Sequence, residues 1–179
     1  MPVNVSDFTL PFKDDICYHH LKIYKRIKAM AVFDNIEDAR EYFKGEKFAT
    51  GAGMQIDEIT DDYVTCSVII EERHQNALGG VMGGVIFTLA DFAFAVMVNN
   101  IHIPTVAQNI SIVFLNSPKG EKMFAKAVCK KDGRTTCVVN VDVYDEEDRP
   151  IAQFTGTGFK KRHLGRQGDA AFVSDNYYK

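Results

Sequence analysis

Apolar positions recur along the chain with two periods, and the change of period marks its elements. Between residues 16 and 31, Ile23, Ile27 and Met30 fall opposite Lys22, Lys25 and Arg26, which predicts an amphipathic helix with a solvated basic face. A second helix is expected over residues 36–48, capped by Asn35, with Glu37 and Asp38 in its first turn and Gly45 loosening its end. Alternation of period two then predicts strands over 52–59 and 63–71, joined at Thr60-Asp61-Asp62. After a glycine-rich loop, residues 84–99 are apolar on nearly every helical face, with Phe87, Leu89, Ala90, Phe92, Ala93, Phe94 and Met97 surrounding the axis. Such a helix must be buried.

The second half reads as a meander of four strands over 105–115, 122–130, 135–144 and 151–159. Asp132-Gly133 and the acidic run before Pro150 supply turns. Met123, Ala125, Ala127 and Cys129 form one apolar face, and Cys137, Val139, Val141 and Val143 another. Matching these faces puts Cys129 near Cys137 across the hairpin. One helix covers only one face of so large a sheet, so the uncovered face and edges call for self-association.

Composition narrows this picture. The 179 residues, 46% hydrophobic and 25% charged, suit one globular domain with an extension. The expected division is an extension over 1–34, a domain over 35–163 and a polar tail over 164–179. A net charge of −3 offers no basic field for nucleic acid. Cys17, Cys66, Cys129 and Cys137 show no metal-ligand spacing and fit free thiols. With no signal peptide evident at the start, a cytoplasmic protein is expected. Between Arg73 and Lys119 a single formal charge occurs, Asp91. The apolar window 78–98 is long enough to raise a membrane span. Its two Gly-Gly pairs and buried acid point instead to the core helix of a soluble protein.

The candidate chemistry gathers in that stretch. His74, Asn76 and the two Gly-Gly pairs run directly into the helix. Glycines there let a ligand approach the backbone and leave N–H groups free at the positive end of the helix dipole, a site for a carbonyl oxygen or oxyanion. Asp91 lies seven residues after Gly84, two turns on and on the same side of the helix. Burial among phenylalanines should raise its pKa, as no basic residue is near in sequence. The set pairs a carboxylate with an amide and oxyanion-type donors at one apolar slot. It suits activation of water against a carbonyl carbon; the alternative is a tight structural loop with an acid bonded to backbone. His74 taken alone reads as a loop hydrogen-bonder, and His102 as structural.

At these residues the chain resembles the PaaI-like hotdog-fold thioesterases, whose signature is H-x-N-x-x-G-x-x-H-G-G, then seven residues, then an acid in an L-x-D context. Here it reads His74-x-Asn76-x-x-Gly79-x-x-Met82-Gly83-Gly84, then Thr88-Leu89-Ala90-Asp91. The likeness continues through Asn109-Ile110-Ser111 and Asp132-Gly133-Arg134-Thr135 to 151–157, covering about residues 36–162. It implies an α+β hotdog fold: an antiparallel sheet wrapped around one long central helix, here with an N-terminal helical extension. The implied activity is hydrolysis of an acyl-CoA thioester, without a cofactor or metal, at the interface of a dimer or a dimer of dimers. Asp91 would be general base or nucleophile, the Gly83 N–H would polarise the carbonyl, and Asn76 of the neighbouring subunit would position water or carbonyl. His74, Met82, Gly84 and Thr105 would contact substrate, Thr105 through a water-orienting hydroxyl. No nucleic acid or membrane partner is implied.

Met82 departs from the pattern, standing where the family carries histidine. A thioether neither donates a hydrogen bond nor holds a proton. Loss of one polarising donor costs roughly 2.7–4 kcal/mol in an oxyanion site, so reduced or substrate-restricted turnover is expected, with His74 the candidate to supply the missing help. The departure also motivates an acyl-CoA-binding or sensing protein without catalysis. A dehydratase acting on hydroxyacyl thioesters ranks last, because that chemistry needs a histidine–acid pair. Lys160, Lys161, Arg162 and Arg166 offer charge for CoA phosphates or form a solvated terminus.

Overall fold

The computed structural model describes residues 31–162. The helix expected over 16–31 lies outside them except for its last residue, and so does the tail from 163 onward, including Arg166. Helix α1 (Ile36–Phe43) starts where the cap was expected, with Asn35 Oδ1 accepting from the N–H groups of Glu37 and Asp38 at 2.9 and 3.1 Å. The helix stops early, and a separate short α2 (Lys47–Gly51) follows. Phe43 and Ala49 are both buried. In an unbroken helix their side chains would point about 120° apart, so a break at Lys44-Gly45 lets both turn inward.

Six antiparallel strands form one sheet in the order β1-β2-β4-β5-β6-β3: β1 (Gln55–Ile59), β2 (Tyr63–Ile69), β3 (Thr105–Phe114), β4 (Lys122–Asp132), β5 (Thr136–Asp145) and β6 (Pro150–Lys160). β1 begins later than the alternation suggests, because Gly53 has φ +87°, a left-handed turn conformation and not a strand one. The long helix α3 (Gly83–Ile101) lies in the concave face. Val64, Cys66 and Val68 of β2, Met123, Ala125 and Ala127 of β4, Cys137, Val139, Val141 and Val143 of β5, and Ala152 and Phe154 of β6 are buried with Leu89, Ala90, Phe94 and Met97 of α3. This is the expected hotdog layout. Two thirds of the most apolar window of α3 is buried inside the protein, which makes it a core helix.

The register shifts between Cys129 and Lys131, so Cys129 lies opposite Val139 and Cys137 opposite Asp132. The two thiols share a face at a diagonal, and both are free. β3 is an edge strand. Val113, Phe114 and the following Leu115 are exposed along it.

Candidate active site at the start of the central helix

α3 is buried on every side but one. Gly84 is exposed, and Thr88, Asp91 and Ala95 are half-buried, three or four residues apart, so they form one open stripe running from the N-terminus of the helix. Asp91 is the only ionisable group on this stripe. Burial pushes its carboxyl above the ordinary value of 3.8, and the nearby charge of Glu46 adds to the effect; no cation among the described residues counteracts it. One turn before it, the Thr88 hydroxyl donates to the carbonyl of Gly84 at 2.8 Å.

The first turn of α3 is open at the backbone. Met82 occupies the N-cap position without a side-chain capping bond. Val85 N–H bonds back to the Met82 carbonyl at 2.9 Å, whereas the N–H groups of Gly83 and Gly84 have no acceptor among the described residues. The two donors and the positive helix end therefore open the head of the stripe, where an oxyanion can be held, with Gly83 eight residues and about 12 Å before Asp91 along the helix axis. Apolar groups frame them. A methyl placed on Gly83 would lie 3.5 Å from Cζ of Phe114, and one on Gly84 would lie 3.0 Å from Cε of Met82.

Asn76 sits in the loop before the helix. Its Oδ1 accepts from the N–H groups of Leu78 (2.9 Å) and Gly80 (3.2 Å), shaping a tight turn that Gly79 completes at φ +80°. The amide nitrogen of Asn76 has no acceptor among the described residues and remains a free donor. No hydrogen bond joins Asn76 to Asp91 within one chain.

Two residues expected at the substrate are engaged elsewhere. His74 is buried, with Nε2 2.9 Å from the carbonyl oxygen of Ala52 and Nδ1 accepting the N–H of Glu71 at 3.0 Å. The ring is thus held as the Nε2–H tautomer, with neither nitrogen left for a ligand. Thr105 is also buried. Its hydroxyl donates to the carbonyl of His102, and its methyl shares with Val98 the space that a Cβ on Gly158 would fill. Val98 is seven residues beyond Asp91, about 10 Å along the helix. Thr105 therefore does not meet Asp91 within the chain. Lys160 is likewise committed: its ammonium is paired with the Asp132 carboxylate and donates to the carbonyl of Gly133 at 3.0 Å, which removes it from a phosphate-binding role.

Three contributors were not evident from sequence. Thr88 carries the i, i+3 spacing to Asp91 that would have revealed it. Glu46 and Phe114 come from α2 and the far end of β3, and only packing brings them to the helix.

The chain is similar to known thioesterases in sequence and in fold. Residues 78–152 match the model of the Thioesterase superfamily. A Deinococcus radiodurans protein carrying an esterase designation is 32% identical over 118 residues, 65% of this chain and 80% of its own length. The Escherichia coli acyl-coenzyme A thioesterase PaaI is 24% identical over 121 residues, 67% of this chain and 86% of that protein. A solved Streptococcus pneumoniae structure, a hypothetical thioesterase protein with coenzyme A, superposes with a TM-score of 0.62 at 28% identity, covering 70% of this chain and 99% of the other. From its fold, its open helix start and these relatives, the chain belongs to the thioesterase superfamily, in the PaaI-like hotdog group, and is a thioester hydrolase.

Proposed function

We propose that the protein hydrolyses acyl-CoA thioesters, with Asp91 as the acid–base group. The observation that carries this reading is the open stripe of α3, which bears a single carboxyl with a raised pKa and is headed by two unpaired backbone donors. The thioester carbonyl oxygen accepts from Gly83 N–H. Asp91 of the partner subunit takes a proton from water as the water oxygen attacks the carbonyl carbon, and the tetrahedral oxyanion is held by the same Gly83 donor. Collapse breaks the carbon–sulfur bond, releasing the acid and CoA, whose thiolate takes up the proton. In the nucleophilic variant, the partner's Asp91 attacks first and water then hydrolyses the anhydride. Neither route employs a cofactor. The coenzyme A bound by the Streptococcus pneumoniae relative and the name of the Escherichia coli one support CoA as the carrier.

The site is completed by a second copy of the chain in this reading. The unpaired edge of β3, with the exposed Val113 and Leu115 beside it, and the open side of α3 are the surfaces that a partner subunit would cover. The free amide of Asn76 would then reach the Asp91 of its neighbour. The test is release of free thiol from a panel of acyl-CoAs differing in chain length and aromaticity. Turnover by the native protein that disappears in Asp91→Asn supports the role; equal rates in the two overturn it.

Met82 favours a second reading, in which the protein binds acyl-CoA without cleaving it. Tight binding of intact acyl-CoA with no thiol release would select that alternative.

A further inference from the structure

We propose that Met82 and Phe114 form an apolar clamp on the carbonyl-binding end of α3 that selects acyl groups apolar at the first carbons beyond the thioester. The proposal rests on the reading that the carbonyl oxygen docks at Gly83 N–H.

The two side chains arrive from different directions. Met82 precedes the helix and folds back over its first turn, so that its Cε, Sδ and Cγ lie 3.0, 3.8 and 4.0 Å from where a Cβ on Gly84 would stand. Phe114 ends β3, thirty-one residues after Gly83, and three of its ring carbons lie 3.5–3.9 Å from where a Cβ on Gly83 would stand. The adjacent glycines have thus exchanged their own side chains for one thioether and one ring, set against the only two unpaired donors of the helix. Both clamp residues are about half exposed, at 53% and 51%, so they offer surface to a ligand and are not sealed into the core.

An oxygen accepting from Gly83 N–H sits about 2.9 Å from that nitrogen. The two groups bonded to the carbonyl carbon are then in van der Waals reach of the clamp. On one side lies the sulfur, common to every CoA thioester. On the other lie the first acyl carbons, so discrimination falls on them. A hydroxyl there would lose water against a thioether and a ring that offer it little hydrogen bonding in return.

The matched probes are butyryl-CoA and 3-hydroxybutyryl-CoA, which differ by one uncharged group near the carbonyl and leave Asp91 electrostatics unaltered. The native protein is expected to favour butyryl-CoA at least tenfold in kcat/KM. Met82→Gln and Phe114→Gln should each reduce that ratio to about threefold or less, whereas Phe114→Leu should retain it. Binding of the two ketone analogues, in which a methylene replaces the thioester sulfur, is measured in parallel by calorimetry on the native protein, on Asp91→Asn and on the two Gln variants. If no thioester is cleaved yet the analogues show the preference and the Gln variants lose it, hydrolysis fails and the clamp stands. Equal handling of the two acyl groups, a preference unchanged in the Gln variants, or no binding of either analogue together with no turnover overturns the clamp.

Discussion

His74 spans twenty-two residues to hold the carbonyl of Ala52, its Nε2 2.9 Å from that oxygen. Beside it, Arg73 Nη1 donates to the carbonyl of Gly51 at 2.7 Å. These two contacts fasten the end of α2 to the segment from which the Asn76 loop departs. α2 in turn carries Glu46 at its N-cap, the acid whose charge acts on Asp91. The histidine that begins the motif therefore ties together two backbone segments beside the candidate site, which predicts a positioning role.

Replacing His74 with Leu should lower stability by roughly 1–3 kcal/mol, because Ala52 C=O and Glu71 N–H each lose their partner where water reaches them only in part. Thermal unfolding measures that loss. In the less disruptive His74→Gln, the shape of the pH–rate profile should match the native one. A missing limb in that profile would return His74 to the substrate.

The role proposed for Asp91 predicts an acid limb of activity. With its folded pKa above its unfolded one, the carboxyl must be ionised to act, so kcat/KM should decline on acidification at a pH above 3.8. The same shift fixes the sign of its effect on stability. The folded state prefers the protonated acid, so Asp91 is harmless below its unfolded pKa and becomes a cost as pH rises through the folded value. Asp91→Asn should accordingly abolish turnover yet raise Tm at pH 7. Near pH 3 the two melting curves should converge.

Shared sites predict complementation. Asn76→Ala and Asp91→Asn proteins should each be impaired alone. Subunits of the two, mixed after dissociation, should recover a quarter or more of native activity as heterodimers form, because one of their two sites is then intact. Additive residual activity with no recovery would place Asn76 and Asp91 of one site on the same chain.

Gly156→Ala should be among the most damaging small substitutions. A Cβ there would lie 2.5 and 2.7 Å from ring carbons of Phe94 and 3.0 Å from Phe154, all three deep in the core. Overpacking of this kind costs about 1–3 kcal/mol or more. Gly51→Ala, with nothing within 4 Å at a helical position, is the control and should be neutral or slightly stabilising. Denaturant midpoints compare the two.

The Lys160–Asp132 pair is largely removed from water, the side chains being 6% and 19% exposed. Lys160→Met alone leaves a buried carboxylate and should cost about 3–5 kcal/mol. Adding Asp132→Asn should restore much of it. CoA affinity should be unaffected by the double change, which calorimetry can read directly.

The strands, the buried helix and the residues that head and line that helix were legible in the chain's own pattern. Period-two alternation identified six strands, uniform apolarity identified the buried helix, and the Gly83-Gly84 to Asp91 spacing set donors at the head of the helical stripe that bears the acid. These are local properties, governed by backbone geometry over a few residues. The break between α1 and α2 was not legible, because it answers to the inward turn of both Phe43 and Ala49. Tertiary structure alone decided which motif residues remain free for a ligand. His74 carries the motif yet is consumed by Ala52 and Glu71, and Thr105 by His102, because a hydrogen-bonding group has finite capacity and its nearest buried partner takes it. Phe114 and Glu46 carry no motif yet reach the helix, since proximity across thirty or more residues is created by packing, which no local pattern encodes.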